Sequence, residues 1–128
     1  METISQKDYD VYLIDKVGEL FKLYILGNAV FVGGSLVPVG GHNILEPAVC
    51  ERAVVFGPYM HNFQEAADLL LEANGALQLT SGADLPSIIE RLLISLEESQ
   101  IRGKACADAI KSNTGATDRT LQILEPHL

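Results

Sequence analysis

The chain has no run of roughly eighteen unbroken apolar residues, which excludes a transmembrane helix. Its first residues, Met1-Glu2-Thr3-Ile4-Ser5-Gln6-Lys7-Asp8, lack the basic-then-apolar layout of a secretory signal. Cysteine is scarce: Cys50 and Cys106 are the 2 present, far apart and in helical apolar contexts. They read as buried thiols in a reducing compartment, not as a disulfide or a metal pair. Basic charge is also scarce, with 9 Lys and Arg against 17 Asp and Glu and a formal net charge of −8. A nucleic-acid surface needs a basic stripe, so no nucleic-acid partner is expected. Any anionic ligand must be held by local backbone donors. Internal repeats and low-complexity linkers are missing too. What the chain does have is a 48% share of hydrophobic residues over 128 positions, enough for the core of one domain or part of one.

Short apolar runs alternate with helical periods. Asp10 to Ile14, Ala29 to Val32, Ala53 to Phe56 and Ala76 to Leu79 are candidate strands. The third is wholly apolar, as a strand covered on both faces should be. Helical spacing recurs at Val17, Leu20, Phe21, Tyr24 and Ile25, with Gly27 as the stop, and a short helix is expected from about Asn43 to Glu51. Asn62 with Glu65 predicts a capped helix that Asn74-Gly75 closes. Beyond Asp84 the chain reads as all helix. One stripe runs through Leu85, Ile88, Ile89, Leu92, Leu93 and Leu96, and a second helix from about Ile101 to Ile110 is broken by Asn113-Thr114-Gly115. A last helix carries Leu121, Ile123 and Leu124. The expected fold is α/β, a Rossmann-like parallel sheet of about four strands over residues 10–80, with a helical tail over 84–128 and an unstructured or appended stretch over 1–9.

In such sheets ligands meet the carboxyl ends of the strands, where loops lead into helix starts. That rule points to Asp15–Gly18, Gly33–Asn43 and Gly57–Asn62. The middle segment is the densest. Its glycines permit positive φ and close backbone approach. Amides at His42, Asn43 and Ile44 are expected to be unpaired and able to cradle a phosphate. Glu46, one turn into the helix, can accept from two vicinal ribose hydroxyls. The competing reading is a tight turn whose glycines only allow the bend, with Glu46 favoured at a helix start.

The segment Gly33-Gly34-Ser35-Leu36-Val37-Pro38-Val39-Gly40-Gly41-His42-Asn43-Ile44-Leu45-Glu46-Pro47 resembles the signature of the Kdo (3-deoxy-D-manno-oct-2-ulosonic acid) transferase family. So do Gly57-Pro58 with Asn62-Phe63-Gln64-Glu65, Gly18-Glu19-Leu20 after Asp15, and Asn113-Thr114-Gly115-Ala116. The resemblance runs from about residue 10 to the C-terminus. Lys16 stands where the family usually has Thr, and Tyr59 where many members have His.

The resemblance implies the GT-B architecture, two Rossmann-like domains facing across a cleft. This chain would be part of the C-terminal, donor-binding one, beginning inside it. The donor implied is CMP-Kdo. The acceptor is a lipid A precursor, held by the N-terminal domain, and the reaction is Kdo transfer in lipopolysaccharide biosynthesis. Donor contacts are implied at Gly18, Glu19, Ser35, Gly40, Gly41, His42, Asn43, Glu46 and Asn62. No metal or other cofactor is expected, because backbone donors can hold the leaving phosphate. The catalytic carboxylate is expected in the N-terminal domain, so this fragment alone is expected to be inactive and soluble. The parent enzyme is expected on the cytoplasmic face of the bacterial inner membrane. Self-association through an open sheet edge is a further expectation. Two alternatives stay open: the donor domain of a GT-B enzyme using a UDP-sugar, and a non-catalytic sugar-nucleotide module. Bland readings also stand for single residues. His61 and His127 suit exposed positions, and Glu90, Glu97 and Glu98 suit solvated helix faces.

Overall fold

A computed structural model of the chain describes residues 11, 13, 14 and 22–113. Within them lies a 3-stranded parallel sheet in the order β1 (Ala29–Val32), β2 (Ala53–Phe56), β3 (Ala76–Gln78). Helix α1 (Leu45–Val49) joins β1 to β2, and α2 (Gln64–Glu72) joins β2 to β3. After β3 come α3 (Leu85–Ile94) and α4 (Leu96–Ser112).

The central strand shows why the sheet is covered on both sides. Ala53, Val54, Val55 and Phe56 are all buried, and successive side chains point to opposite faces. Val54 and Phe56 meet a core made by Ile44, Leu45 and Ala48 of the α1 region, Ala67 and Leu70 of α2, and Cys106, Ala109 and Ile110 of α4. Ala53 and Val55 meet the opposite core, where α3 supplies Leu92 with Leu85, Ile88 and Ile89. Both crossover helices therefore lie on one face and α3 on the other, the layering that right-handed parallel connections produce.

Among the described residues the sheet has fewer strands than the sequence predicts, and positions 10 and 12 of the first predicted strand lie outside them. Val11, Leu13 and Ile14 form no strand, and Val11 and Leu13 are 83% and 82% exposed. An apolar run becomes a strand only where a ladder receives it, and no described residue pairs with the outer edge of β1. Of the helix predicted across residues 17–25, positions 17–21 lie outside the described residues. The rest ends as a 3-10 turn, Tyr24–Leu26, closed by the Gly27 amide donating to Tyr24 O at 3.1 Å. The helix predicted at Leu121–Leu124 also lies outside the described residues.

Two helix boundaries differ from expectation for local reasons. The stripe predicted through Leu96 breaks at Ser95, whose Oγ accepts from the Glu98 amide at 3.2 Å and starts α4. Leu93 and Leu96 are consequently exposed, at 52% and 50%. Glu98 is not an idle solvated acid. It accepts from Arg91 Nη2 at 2.7 Å and from Arg102 Nε at 2.8 Å, joining α3 to α4. The two guanidinium groups hold its carboxyl below the usual range. Helix α2 ends as predicted, but the left-handed residue is Asn74 (φ 60°). Asn74 N donates to Leu71 O at 3.0 Å and Gly75 N to Leu70 O at 3.0 Å, a Schellman closure. Cys106 is a buried free thiol that burial pushes up to about 11, and Cys50 is a half-buried one. Among the described residues no helix is long and apolar enough to cross a membrane.

Candidate functional site

Register decides where the site lies. Val32, Phe56 and Gln78 stand side by side at the ends of their strands, so the loops after β1, β2 and β3 leave from one rim of the sheet. The first two of these loops are stitched together. Ser35 Oγ donates to Val32 O at 2.7 Å and accepts from the Gly57 amide at 2.9 Å. The Tyr59 amide donates to Ser35 O at 3.0 Å and the Asn62 amide to Gly40 O at 3.0 Å. Asn62 Nδ2 donates to Val39 O at 3.1 Å.

The glycine pair in this loop has a steric reason. Gly40 and Gly41 adopt φ of +108° and +84°, where a side chain is strained. A Cβ on Gly41 would also sit 2.5 Å from Met60 Sδ, and Met60 is itself buried. The chain then turns through His42, whose exposed imidazole lies against Gly34. Asn43 Oδ1 accepts from the Leu45 amide at 2.8 Å and so caps α1. In the first turn of α1, Leu45, Pro47 and Ala48 are buried while Glu46 is only half-buried, so its carboxylate is not lost to the core.

The predicted phosphate cradle is smaller than the sequence suggests. The His42 amide is engaged, donating to Gly33 O at 3.2 Å, and Ile44 is fully buried. Asn43 is the position of the three that keeps partial exposure and has no acceptor for its amide among the described residues. With α1 only 5 residues long, its dipole adds little.

No family model matches the chain. The 3-deoxy-D-manno-octulosonic acid transferase of Haemophilus influenzae is 39% identical over 126 residues, which is 98% of this chain and 30% of that protein. That of Chlamydia pneumoniae is 34% identical over 125 residues, 92% of this chain and 27% of that one. The solved C-terminal CMP-Kdo binding domain of WaaA from Acinetobacter baumannii matches with a TM-score of 0.72 and 36% identity, covering 77% of this chain and 52% of that chain. The chain belongs to the Kdo transferase family. It spans less than a third of the length of these curated relatives, at 30% and 27%.

Against the contacts that the Kdo transferase resemblance implies, the structure gathers Gly40, Gly41, His42, Asn43, Glu46 and Asn62 around one rim. Gly18 and Glu19 lie outside the described residues. Ser35 is placed differently from a ligand contact: it is 0% exposed, and its hydroxyl both donates and accepts within the protein. Its role is to hold the glycine loop to β2. Asn62 was expected to cap a helix, but its side chain instead ties down Val39, and the 3-10 turn His61–Phe63 precedes α2 without a side-chain cap. Sequence reasoning missed Met60, whose burial under Gly41 leaves no local pattern. It also missed the Ser35–Gly57 bond, which only the adjacency of two strand ends reveals. A concavity of about 680 Å³ opens beside the rim, lined in part by Leu45, His61, Asn62 and Asn113. Two segments of the family-like pattern, at Asn62 and Asn113, therefore face one space.

Ser35→Ala should lower stability by about 1–3 kcal/mol, because the Gly57 amide and Val32 carbonyl would be left buried and short of a partner. Urea denaturation measures this through the shift of the midpoint at constant slope.

Proposed function

We propose that the chain is the donor-binding part of a Kdo transferase, taking up CMP-Kdo through its cytidine monophosphate half. The observation that carries this reading is the 36% identity and 0.72 TM-score to a domain described as CMP-Kdo binding. In this reading the Asn43 amide and the His42 imidazole attend the anionic end of the donor. Glu46, one step into α1, accepts from the vicinal hydroxyls of the ribose. Ser35 and Asn62 hold the loop that presents them.

The reaction proposed for the whole enzyme is transfer of Kdo from CMP-Kdo to a lipid A precursor, with release of CMP, in lipopolysaccharide biosynthesis. The acceptor and the catalytic carboxylate belong to a partner domain, and the site of action is the cytoplasmic face of the bacterial inner membrane. No metal takes part, as backbone and side-chain donors serve the leaving phosphate. The isolated chain is then a binder without transferase activity.

An amide-detected NMR titration tests this. CMP should move the Gly41, Asn43 and Glu46 signals at concentrations where UDP leaves them in place. Equal or stronger shifts with UDP would replace the proposed donor by a UDP-sugar, and no shifts with either would remove the nucleotide reading.

A further inference from the structure

His61 is exposed, as its sequence context suggests, yet its ring lies against the glycine loop. A Cβ on Gly40 would sit 2.7 Å from His61 Nε2. The backbone that carries the ring is fixed on the same loop. The Asn62 amide donates to Gly40 O at 3.0 Å, and Asn62 Nδ2 donates to Val39 O at 3.1 Å. The Phe63 amide donates to Met60 O at 2.9 Å and closes the 3-10 turn His61–Phe63 onto the buried Met60.

His42 stands in the same relation to the other end of the loop. Its Cδ2 and Nε2 would each lie 2.9 Å from a Cβ on Gly34. Gly34 and Gly40 adopt φ of 69° and 108°, and each leaves the space that one imidazole occupies. The Gly41 amide donates to Gly34 O at 2.8 Å, so both rings are brought to the neck of one loop. Neither ring has a hydrogen-bond partner among the described residues, whereas the Asn62 side chain is committed to Val39 O.

Charge in the adjoining concavity is uneven. His61 and Asn62 line it before α2 begins, and Glu65, Asp68 and Glu72 line it along α2. The three carboxylates repel an anion from the α2 wall. An anionic group entering this space is therefore directed to the imidazole beside Gly40, which can donate from a ring nitrogen.

We propose that His61 is a second imidazole for the donor, its ring donating a hydrogen bond to the phosphate of a bound cytidine monophosphate from the Gly40 side of the loop, as His42 does from the Gly34 side. The proposal rests on the nucleotide reading given above and adds a residue outside the segments that carry the family resemblance.

Calorimetric titration of the 128-residue chain with CMP and with cytidine, which lacks the phosphate, tests this. The wild-type chain should prefer CMP. His61→Phe keeps a ring against Gly40 and removes both nitrogens. It should weaken CMP by roughly tenfold, the lower end for a hydrogen bond to a charged group, and leave cytidine unchanged. A wild-type chain that binds CMP no better than cytidine, or binds neither, overturns the phosphate contacts of the reading above and this proposal together. A preference for CMP that His61→Phe keeps in full overturns the proposal alone. So does a His61→Phe chain that loses CMP and cytidine equally, the mark of a ring needed only for the shape of the rim. Should His61→Phe not fold, NMR of the wild-type chain decides. His61 ring signals that move with CMP and stay with cytidine support the proposal, and signals that respond alike to both overturn it.

Discussion

Replacing Glu46 with alanine should weaken CMP binding by roughly 10- to 100-fold and leave the melting temperature nearly unchanged. A carboxylate that accepts hydrogen bonds from a ligand contributes about 1.5–3 kcal/mol, which sets that range. The fold should tolerate the change because packing in the first turn of α1 comes from Leu45, Pro47 and Ala48, while Glu46 keeps part of its surface in water. Calorimetric titration gives the affinity and a thermal melt gives the control. A collapse of the melt would instead mark Glu46 as a structural residue of the helix start. Retained affinity would move the ribose contact elsewhere.

The second large effect is one of sign. On helix propensity alone, Gly103→Ala in the middle of α4 should stabilise by up to about 1 kcal/mol. The packing reverses this. A Cβ at Gly103 would run into the backbone carbonyl of Glu51, and the helix has no room to retreat, since Cys106 and Ile110 of the same helix sit in the main core. Glu51 cannot easily yield either, being held at φ 59° in the turn between α1 and β2. Overpacking of this kind costs about 1–3 kcal/mol, so the net outcome is a melting temperature lower by roughly 5–10 °C. A raised melting temperature would show that the turn relaxes freely.

How much of this was legible in the sequence follows from the range of the forces involved. The buried strand Ala53–Phe56 announced itself because a strand covered on both faces has no polar residue to spare. Gly33–Asn43 announced itself because positive φ, adopted at Gly34, Gly40 and Gly41, selects glycine. The Asn74 closure was legible for the same local reason. What stayed hidden was non-local. Ser35 could not be told from a ligand contact, because its partners at Val32 and Gly57 come together only when two strands align. Asn62 fits a capping pattern by spacing, but the glycine loop offers Val39 O as an acceptor within reach and takes the side chain. The His42 amide looked available because the sequence does not show the Gly33 carbonyl folding back to meet it. The start of α4 is a different case: Ser95 with Glu98 is a capping pair that local reading could have found, and the apolar stripe through Leu96 masked it.

The stitching of the two rim loops bears on how the domain would greet a ligand. With Gly57, Tyr59 and Asn62 all donating into the Gly33–Asn43 segment, the rim has little slack left to lose. Its shape is settled when the polypeptide folds, well before any nucleotide arrives. Association should then resemble a key entering a finished lock, with a modest entropy penalty. The same three amides should exchange with deuterated solvent slowly in the empty state, and binding should slow them little further.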